Sequence, residues 1–563
     1  MSPLHQSLAQ VLEDLHLESS QPPDERFAWL HRRSQHSQHP LVQFDFSKTH
    51  CTLHIVPKTI HRRDPEEKCK PANHEKTISS GSSGEENENP KNQIFMKLKW
   101  EDVLGAHLKT ACGQPLSRHD VVPRRVYMLA LYACPPEGLT VDGSPKNDLP
   151  TTRDLREWTF RFYGDEIERI AQLHHALNRW ADPRKEVPET MHNQALLNPD
   201  EAISGSLRKF RVLIDPTGGG LRKYEQFVAP MFRVANIETN VDITVDAEGV
   251  WKIAKQLPLD QFECVAIAGG DSYVHEFIQG LMARPDWRRA IRQPFAVLPV
   301  DNSSSNGLAA SIAHHSYENL NLVNAAFALV KGRPHDLDIT SVSNGIEARY
   351  SFLKLEWVLS EADQAASPLH SSGILRDLRH SISLRKHITR RPAYSGSIWY
   401  LRQDADDLQP IRYCHDHSKD DECSCGPAQD LFSTDLGTGK WVELQGPFRS
   451  AWVTATSHAS SSAFVAPGAQ LDDGYTYITL VDGTQPRSEV WRMLFSLESG
   501  RHLKRSAVQQ IGTRALKLQP QRASDRLCVD GHPMSGSSLV AQVHRGLARV
   551  VVLPRQRQTN TVE

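Results

Sequence analysis

The 563-residue chain carries 65 lysines and arginines against 67 aspartates and glutamates, a formal net charge of −2, with 39% apolar and 23% charged residues. That composition is ordinary for a globular protein able to bury sizeable cores, and it offers no global electrostatic case for nucleic acid. Nine cysteines in so long a chain do not make a disulfide framework and suit a reducing cytosol, while the lack of an apolar run of spanning length leaves only peripheral membrane contact.

At ~150 residues per domain the length predicts three or four units. The N-terminus is polar and periodic, without the apolar core of a signal peptide. Leu8, Val11, Leu12 and Leu15 predict a short amphipathic helix over Ser2 to Ser20, inside an N-terminal helical segment 1–40. Residues 41–182 follow as a β-rich domain with the runs LVQFDF, CTLHIV, IFMKLKW, RRVYMLALYA and EWTFRFYG, closed by a helix from Asp165 to Trp180. Between the runs, 61–92 (with SSGSSGEENENPKN) reads as a disordered insert on composition. Several strands followed by one helix with a late tryptophan resemble a pleckstrin-homology domain. No basic cluster marks a phosphoinositide headgroup, so a scaffold or intramolecular docking role is as open as a lipid-binding one.

A polar linker, 183–207, leads to alternating strands and helices: a strand at Phe210–Ile214, a helix at Tyr224–Val234, a strand around Val241–Val245 and a helix around Gly249–Leu257. Next come the buried strand Cys264–Ala268 and a helix in which Val274, Phe277, Ile278 and Leu281 form one apolar face. His275, Glu276 and Gln279 are expected on the opposite face. A further strand, Phe295–Val300, and a helix from about Leu308 complete a parallel, doubly covered sheet. Three strand ends carry glycine-rich or polar loops, 215–220, 269–272 and 301–307, and should converge on one edge of the sheet. Backbone N–H groups at such turns suit phosphate. Asp271, at the carboxyl end of its strand, suits a substrate proton or Mg²⁺; it also suits a plain helix cap.

The order D-P-x-G-G, then G-G-D followed by H-E, then L-P and a small-residue loop ending in asparagine, resembles the diacylglycerol-kinase catalytic domain. Within that superfamily GLMARPDWRRAIRQPFAVLP and NGLAAS resemble sphingosine kinases. Ala466-Pro467 with Asp473-Gly474, Gly500 to Lys504, and Val529-Asp530-Gly531 also fit that pattern. The resemblance covers about Arg208 to Leu553. It implies an α/β nucleotide-binding domain (208–333) and an antiparallel β-sandwich lipid-binding domain (334–555), preceded by the pleckstrin-homology-like domain and followed by a tail, 556–563. It further implies ATP and Mg²⁺ as cofactors, a sphingoid base as lipid substrate, and a cytoplasmic protein peripherally attached to a membrane. A homodimer is left open, and nucleic acid is not a partner.

Carried over residue by residue, the resemblance makes Asp271 the base that activates the substrate's primary hydroxyl. The residues it places around nucleotide are Asp215, Thr217, Gly218, Gly219, Gly220, Gly269, Gly270, Ser272, Glu276, Ser304, Ser305, Asn306, Arg376, Arg379, Asp530 and Gly531, with Asp530 also near Mg²⁺. Asp363 or Glu361, in EWVLSEADQAAS, would hold the sphingoid amine. The chain departs from the family in Ser272 for glycine, in the long loop VDNSSSN with Asp301, in Val245 for threonine, and in His532 for glutamate. Were position 272 to need positive φ, serine would cost ~1–2 kcal/mol there. These departures keep a catalytically impaired lipid- or partner-binding homologue open. Ceramide or diacylglycerol phosphorylation is a further alternative, as is a soluble kinase, since NAD kinases share the Gly-Gly-Asp turn. An acidic loop insertion, 405–440, holds Cys414, His415, His417, Cys423 and Cys425; their types suit Zn²⁺, but the spacing favours a loop with free thiols.

Overall fold

In a computed structural model of the chain, the described residues are 26–30, 41–46, 50–56, 93–116, 120–137, 150–185, 207–244, 246–300, 306–358, 393–402, 441–522 and 525–554. They fall into two compact units, one drawn from 1–146 and 156–205, the other from 147–155 and 206–563.

In the first unit, β1 (Arg26–Leu30), β2 (Leu41–Phe46), β3 (His50–Val56) and β4 (Gln93–Lys99) form an antiparallel four-stranded sheet. A three-stranded sheet follows: β5 (Val103–Thr110), β6 (Val126–Ala133) and β7 (Arg156–Tyr163). Helix α1 (Ile167–Ala181) buries Ile170, Leu173, Ala176, Leu177 and Trp180, the spacing of one helical face. Trp180 meets Trp100 edge to face with ring centroids 5.3 Å apart. Two features differ from the sequence expectation. Strand β1 lies inside the segment 1–40 expected to be helical, and Ser2 to Ser20 lies outside the described residues. Strand β5 was not expected, because a register shift between Val103 and Gly105 breaks the alternation that marks a strand.

The second unit opens with β8 (Arg208–Ile214), the short helix α2 (Gly220–Lys223), a π turn (Tyr224–Val228) and α3 (Ala229–Val234). Then come β9 (Ile237–Ile243), α4 (Ala247–Lys255), β10 (Cys264–Ala268), α5 (Asp271–Met282), α6 (Trp287–Ala290) and β11 (Phe295–Leu298). Every residue of β10 and β11 is buried, as parallel strands covered on both faces must be. Strands β9, β8, β10 and β11 are neighbours in that order and pair in parallel, with Ala268 opposite both Ile214 and Leu298. Their carboxyl ends therefore lie side by side. Helices α7 (Gly307–His315) and α8 (Leu322–Lys331) complete this half. Residues 150–153 belong to the same unit: Arg153 makes a two-pronged contact with Glu318 at 3.0 and 3.2 Å and stacks its guanidinium over Phe327.

The C-terminal half holds β12 (Arg333–Ser343), β13 (Ala348–Ser351), β14 (Lys354–Val358), β15 (Gly396–Leu401), β16 (Trp441–Gln445), β17 (Phe448–Thr454) and β18 (Thr476–Asp482). Helix α9 (Arg487–Ser496) precedes β19 (Val508–Thr513), β20 (Ala515–Pro520), β21 (Arg526–Val529), β22 (His532–Met534) and β23 (Leu539–Val552). One sheet, β19-β18-β17-β14-β21-β22, is antiparallel throughout. The other does not stop at residue 333. Strand β23 pairs antiparallel with β12 and β20, then parallel with β11 through Phe295 and Val550, so one ten-stranded sheet crosses the expected domain boundary. The first part of β23 alternates in burial, while Leu547 to Val552 is buried almost throughout, which is why one strand can serve both halves.

Candidate active site

Strand β10 ends in Gly269-Gly270, and Gly270, extended at φ −85° and ψ −176°, is the N-cap of α5. Asp271 is thus the first helical residue, not the cap of its own helix. Its carboxylate reaches across to α7 instead: Oδ2 accepts from the Gly307 N–H at 2.8 Å and Oδ1 from the Leu308 N–H at 3.2 Å. The loops after β10 and β11 are thereby joined. Asp271 is 4% exposed. Burial lifts its carboxyl to about pH 6, against the pull of the two N–H groups and Lys354, and with a small push from Asp530.

The loop after β8 is held by Asp215, whose Oδ1 accepts from the Thr217 N–H at 2.8 Å and from the Thr217 hydroxyl at 2.6 Å. Gly219 sits at φ +81°, the left-handed region that favours glycine. A Cβ on Gly220 would fall 2.2 Å from the Asp215 carbonyl oxygen, so only glycine fits that closely folded turn. Lys223 Nζ donates to the Val300 carbonyl at 2.7 Å, tying this loop to the end of β11. Tyr273 lies over Gly269 and donates its hydroxyl to the Thr244 carbonyl at 3.1 Å. Burial and the nearby Asp215 push its phenol up to about 12.

With Asp530 at φ +49° and Gly531 at φ +86°, the two form the tight turn of the β21–β22 hairpin, in which Val529 faces His532. Positive φ at both central residues is what a two-residue hairpin turn requires, and Asp-Gly is its strongest signal. The Asp530 side chain is fully out of water. Its Oδ1 accepts from the Ser351 hydroxyl, the Leu353 N–H and the Lys354 N–H at 2.8, 3.1 and 2.9 Å. Oδ2 meets His275 Nδ1 at 3.1 Å and the Phe352 N–H at 3.3 Å. Burial alone would raise this carboxyl; His275, the Lys354 N–H and Ser351 outweigh it and hold it below the usual range. A carboxylate has about four lone-pair positions, and five donors from the chain engage this one, so Asp530 staples the β13–β14 turn to α5.

Four further residues of the expected site and its helix are placed as follows. Ser272 lies inside α5 and is not among the positive-φ residues, so no backbone strain attaches to it. His275, expected on the face of α5 opposite the apolar one, is 1% exposed, because the β21–β22 hairpin covers that face. Asn306 is buried at the N-cap position of α7 without a side-chain cap. Glu276 is half-buried, and burial raises its carboxyl despite His275 and Arg349. Ser304, Ser305, Asp301, Val245, Glu361, Asp363, Arg376, Arg379 and the 414–425 cluster lie outside the described residues.

Lys354 was not anticipated. Its Nζ donates to Glu356 at 2.8 Å. Burial opposes its charge, but Glu356, Asp271 and Asp530 outweigh burial and hold its pKa above the ordinary lysine value. It is the cation that the fold brings beside Asp271. No local motif marks it, since it owes its place to β14 pairing with β17, where it lies opposite Thr454.

Glycine turns and a buried carboxylate lie at adjacent parallel strand ends, with a sandwich against them, an arrangement suited to holding phosphate. Residues 209–342 match the family model of the diacylglycerol kinase catalytic domain, and residues 439–552 match the YegS C-terminal NAD kinase beta sandwich-like domain. Sphingosine kinase 1 of Mus musculus is 25% identical over 357 residues, 59% of this chain and 88% of that one. Sphingosine kinase 1 of Arabidopsis thaliana is 23% identical over 352 residues, 60% of this chain and 70% of that one. A crystal structure of a diacylglycerol kinase from Bacillus anthracis str. Sterne matches over 62% of this chain and 99% of its own at a TM-score of 0.40 and 11% identity, a likeness too loose to bear on the fold. The chain is a sphingosine kinase-like member of the diacylglycerol kinase catalytic-domain superfamily.

Proposed function

We propose that the protein is an ATP- and Mg²⁺-dependent kinase that phosphorylates the primary hydroxyl of a sphingoid base. The observation that carries the reading is Asp271: a carboxylate at the carboxyl end of β10, between the ends of β8 and β11, with a pKa of about 6. The glycine turn at 219–220 fits closely approaching phosphate. Bound there, Mg²⁺-ATP supplies the phosphoryl group that is transferred. Asp271, ionised above about pH 6, would take the hydroxyl proton as that oxygen bonds to the γ-phosphorus and the bond from phosphorus to the bridging oxygen breaks, releasing ADP. Gly307 and Leu308 fix the carboxylate's orientation. Lys354 offsets negative charge at the same point. Asp215, at the end of β8, is the strand-end carboxylate suited to Mg²⁺.

Outside the described residues, the reading gives phosphate neutralisation to Arg379 or Arg376, the nucleotide loop to Ser304 and Ser305, and the sphingoid amine to Asp363 or Glu361. The protein works peripherally on a membrane from the cytoplasm. Among the described residues no helix is long and apolar enough to cross one. A pleckstrin-homology-like role for the first unit is supported by its four- and three-stranded sheets closed by α1. A second reading, a catalytically impaired homologue that binds lipid or a partner, is favoured by the near-complete burial of Asp271 and the engagement of both its oxygens.

Turnover of sphingosine, ceramide and diacylglycerol in mixed micelles, alongside thermal stabilisation by Mg²⁺-ATP, tests the proposal. Sphingosine should exceed the others by at least about tenfold, the equivalent of ~1.4 kcal/mol in transition-state binding. Turnover of none, with no stabilisation by nucleotide, would establish the impaired homologue.

A further inference from the structure

Helix α5 turns two histidine and carboxylate positions beyond Asp271 toward the sandwich. His275 and Glu276 there meet His532, the first residue of β22, and each of the three offers a ligand atom within 4.8 Å of the others. We propose that His275, Glu276 and His532 form a site for one divalent transition-metal ion, Zn²⁺ by the chemistry of its donors, that fastens the β21–β22 hairpin to α5.

The donor set is two imidazoles and one carboxylate, a combination that Zn²⁺ accepts with a fourth position left to water. The second, independent observation is the environment of His275. Its Nδ1 lies 3.1 Å from the Asp530 carboxylate, both side chains being out of water. With Nδ1–H donated to a fixed carboxylate, the lone pair is on Nε2. This carboxylate–histidine arrangement is what orients a metal-ligating imidazole. Asp530 is itself fixed by the Ser351 hydroxyl and by the N–H groups of Phe352, Leu353 and Lys354, so His275 cannot drift. Glu276 is half-buried, and the nearby Arg349 directs its guanidinium to Glu347 at 3.2 Å.

The imidazoles of His275 and His532 stack with centroids 4.4 Å apart and an interplanar angle of 16°. Stacked rings hold their in-plane lone pairs in nearly parallel planes, so the two do not converge on one ion without a turn of one ring. Tetrahedral zinc at ~2.0–2.1 Å from each donor needs donor–donor separations of about 3.3 Å. Loading therefore draws the three together by up to about 1.5 Å and turns His532 out of the stack. His532 is the residue free to do so: it is only partly buried and follows Gly531 in a short hairpin, whereas His275 is locked. Because α5 begins with Asp271 and the hairpin belongs to the sandwich, the ion would set the spacing between the phosphoryl-transfer residues and the lipid-binding half.

The test uses the full chain with Cys414, Cys423 and Cys425 replaced by serine, so that thiols of the insertion cannot contribute. Metal-stripped protein is titrated with Zn²⁺ against a chromophoric chelator, and its melting is followed with and without one equivalent. We expect one tight equivalent and a higher melting temperature on loading. His532→Ala and Glu276→Gln should each weaken that equivalent at least tenfold and abolish the rise, while their metal-free melting stays near the parent's. The Co²⁺ form should show d–d bands without thiolate charge transfer. Failure of the parent to take up Zn²⁺, or uptake unchanged in both variants, would overturn the site.

Discussion

The Asp271 carboxylate accepts the backbone N–H of Gly307 at 2.8 Å across 36 residues of sequence, so the candidate base of the site is also the cap of helix α7. The two roles separate by substitution. Asp271→Ala leaves the Gly307 and Leu308 N–H groups uncapped and should cost about 1–2 kcal/mol in urea denaturation. Because burial raises this carboxyl from 3.8 to about 6, the folded state holds its proton more tightly than the unfolded chain does. Its contribution to stability is therefore complete below pH ~4 and lost as pH rises through about 6. Asp271→Asn, which cannot ionise, should gain on the wild type between pH 5 and pH 7; a constant gap across that range would refute the shift.

Asp530 has the opposite sign. Its carboxyl is held low in the folded state, so its contribution is present above the unfolded value and lost as pH falls through the lower folded one. Asp530→Ala strands His275, Ser351 and three backbone N–H groups and should cost about 3–5 kcal/mol. A variant of wild-type stability that had lost only nucleotide affinity would show that Asp530 serves the ligand instead.

The two glycines of the first loop should respond differently. Gly219→Ala meets no atom within 4 Å but is strained at φ +81°. It should cost about 1–2 kcal/mol, much of it restored by asparagine. Gly220→Ala drives a Cβ to 2.2 Å from the Asp215 carbonyl and must move the loop, so Mg²⁺-ATP affinity should fall about tenfold or more. Isothermal titration distinguishes them; equal, small effects at both positions would mean that the loop does not meet nucleotide.

Ser272→Gly would be an improvement if that position needed positive φ. It is helical instead, so glycine there should cost about 0.5–1 kcal/mol and leave the ATP affinity unchanged. A severalfold gain in ATP affinity would contradict this.

The strands and helices that carry the site were legible because their signals are local. Cys264–Ala268 is an apolar run closed by glycines, and Val274, Phe277, Ile278 and Leu281 share a helical period and are all fully buried. What escaped depended on distant partners. His275 falls opposite the apolar face of its helix, and a hairpin 255 residues later covers it. Lys354 owes its place to strand pairing, not to a motif. Asp530-Gly531 fits the family pattern, and the same letters between Val529 and His532 also spell a hairpin turn. Strand β23 could not be assigned to one domain because its two ends obey different burial rules.

The central claim is that Asp271 takes the proton of a lipid hydroxyl, and the most direct measurement is the rate of sphingosine phosphorylation by Asp271→Asn beside the wild type across pH. The wild-type kcat/KM should rise through about pH 6 to a plateau, as its carboxyl ionises. The variant should lose a hundredfold or more, about 2.7 kcal/mol, while keeping its thermal stabilisation by Mg²⁺-ATP. A variant that retained more than a tenth of the wild-type rate, or a wild-type profile flat through pH 6, would contradict the account.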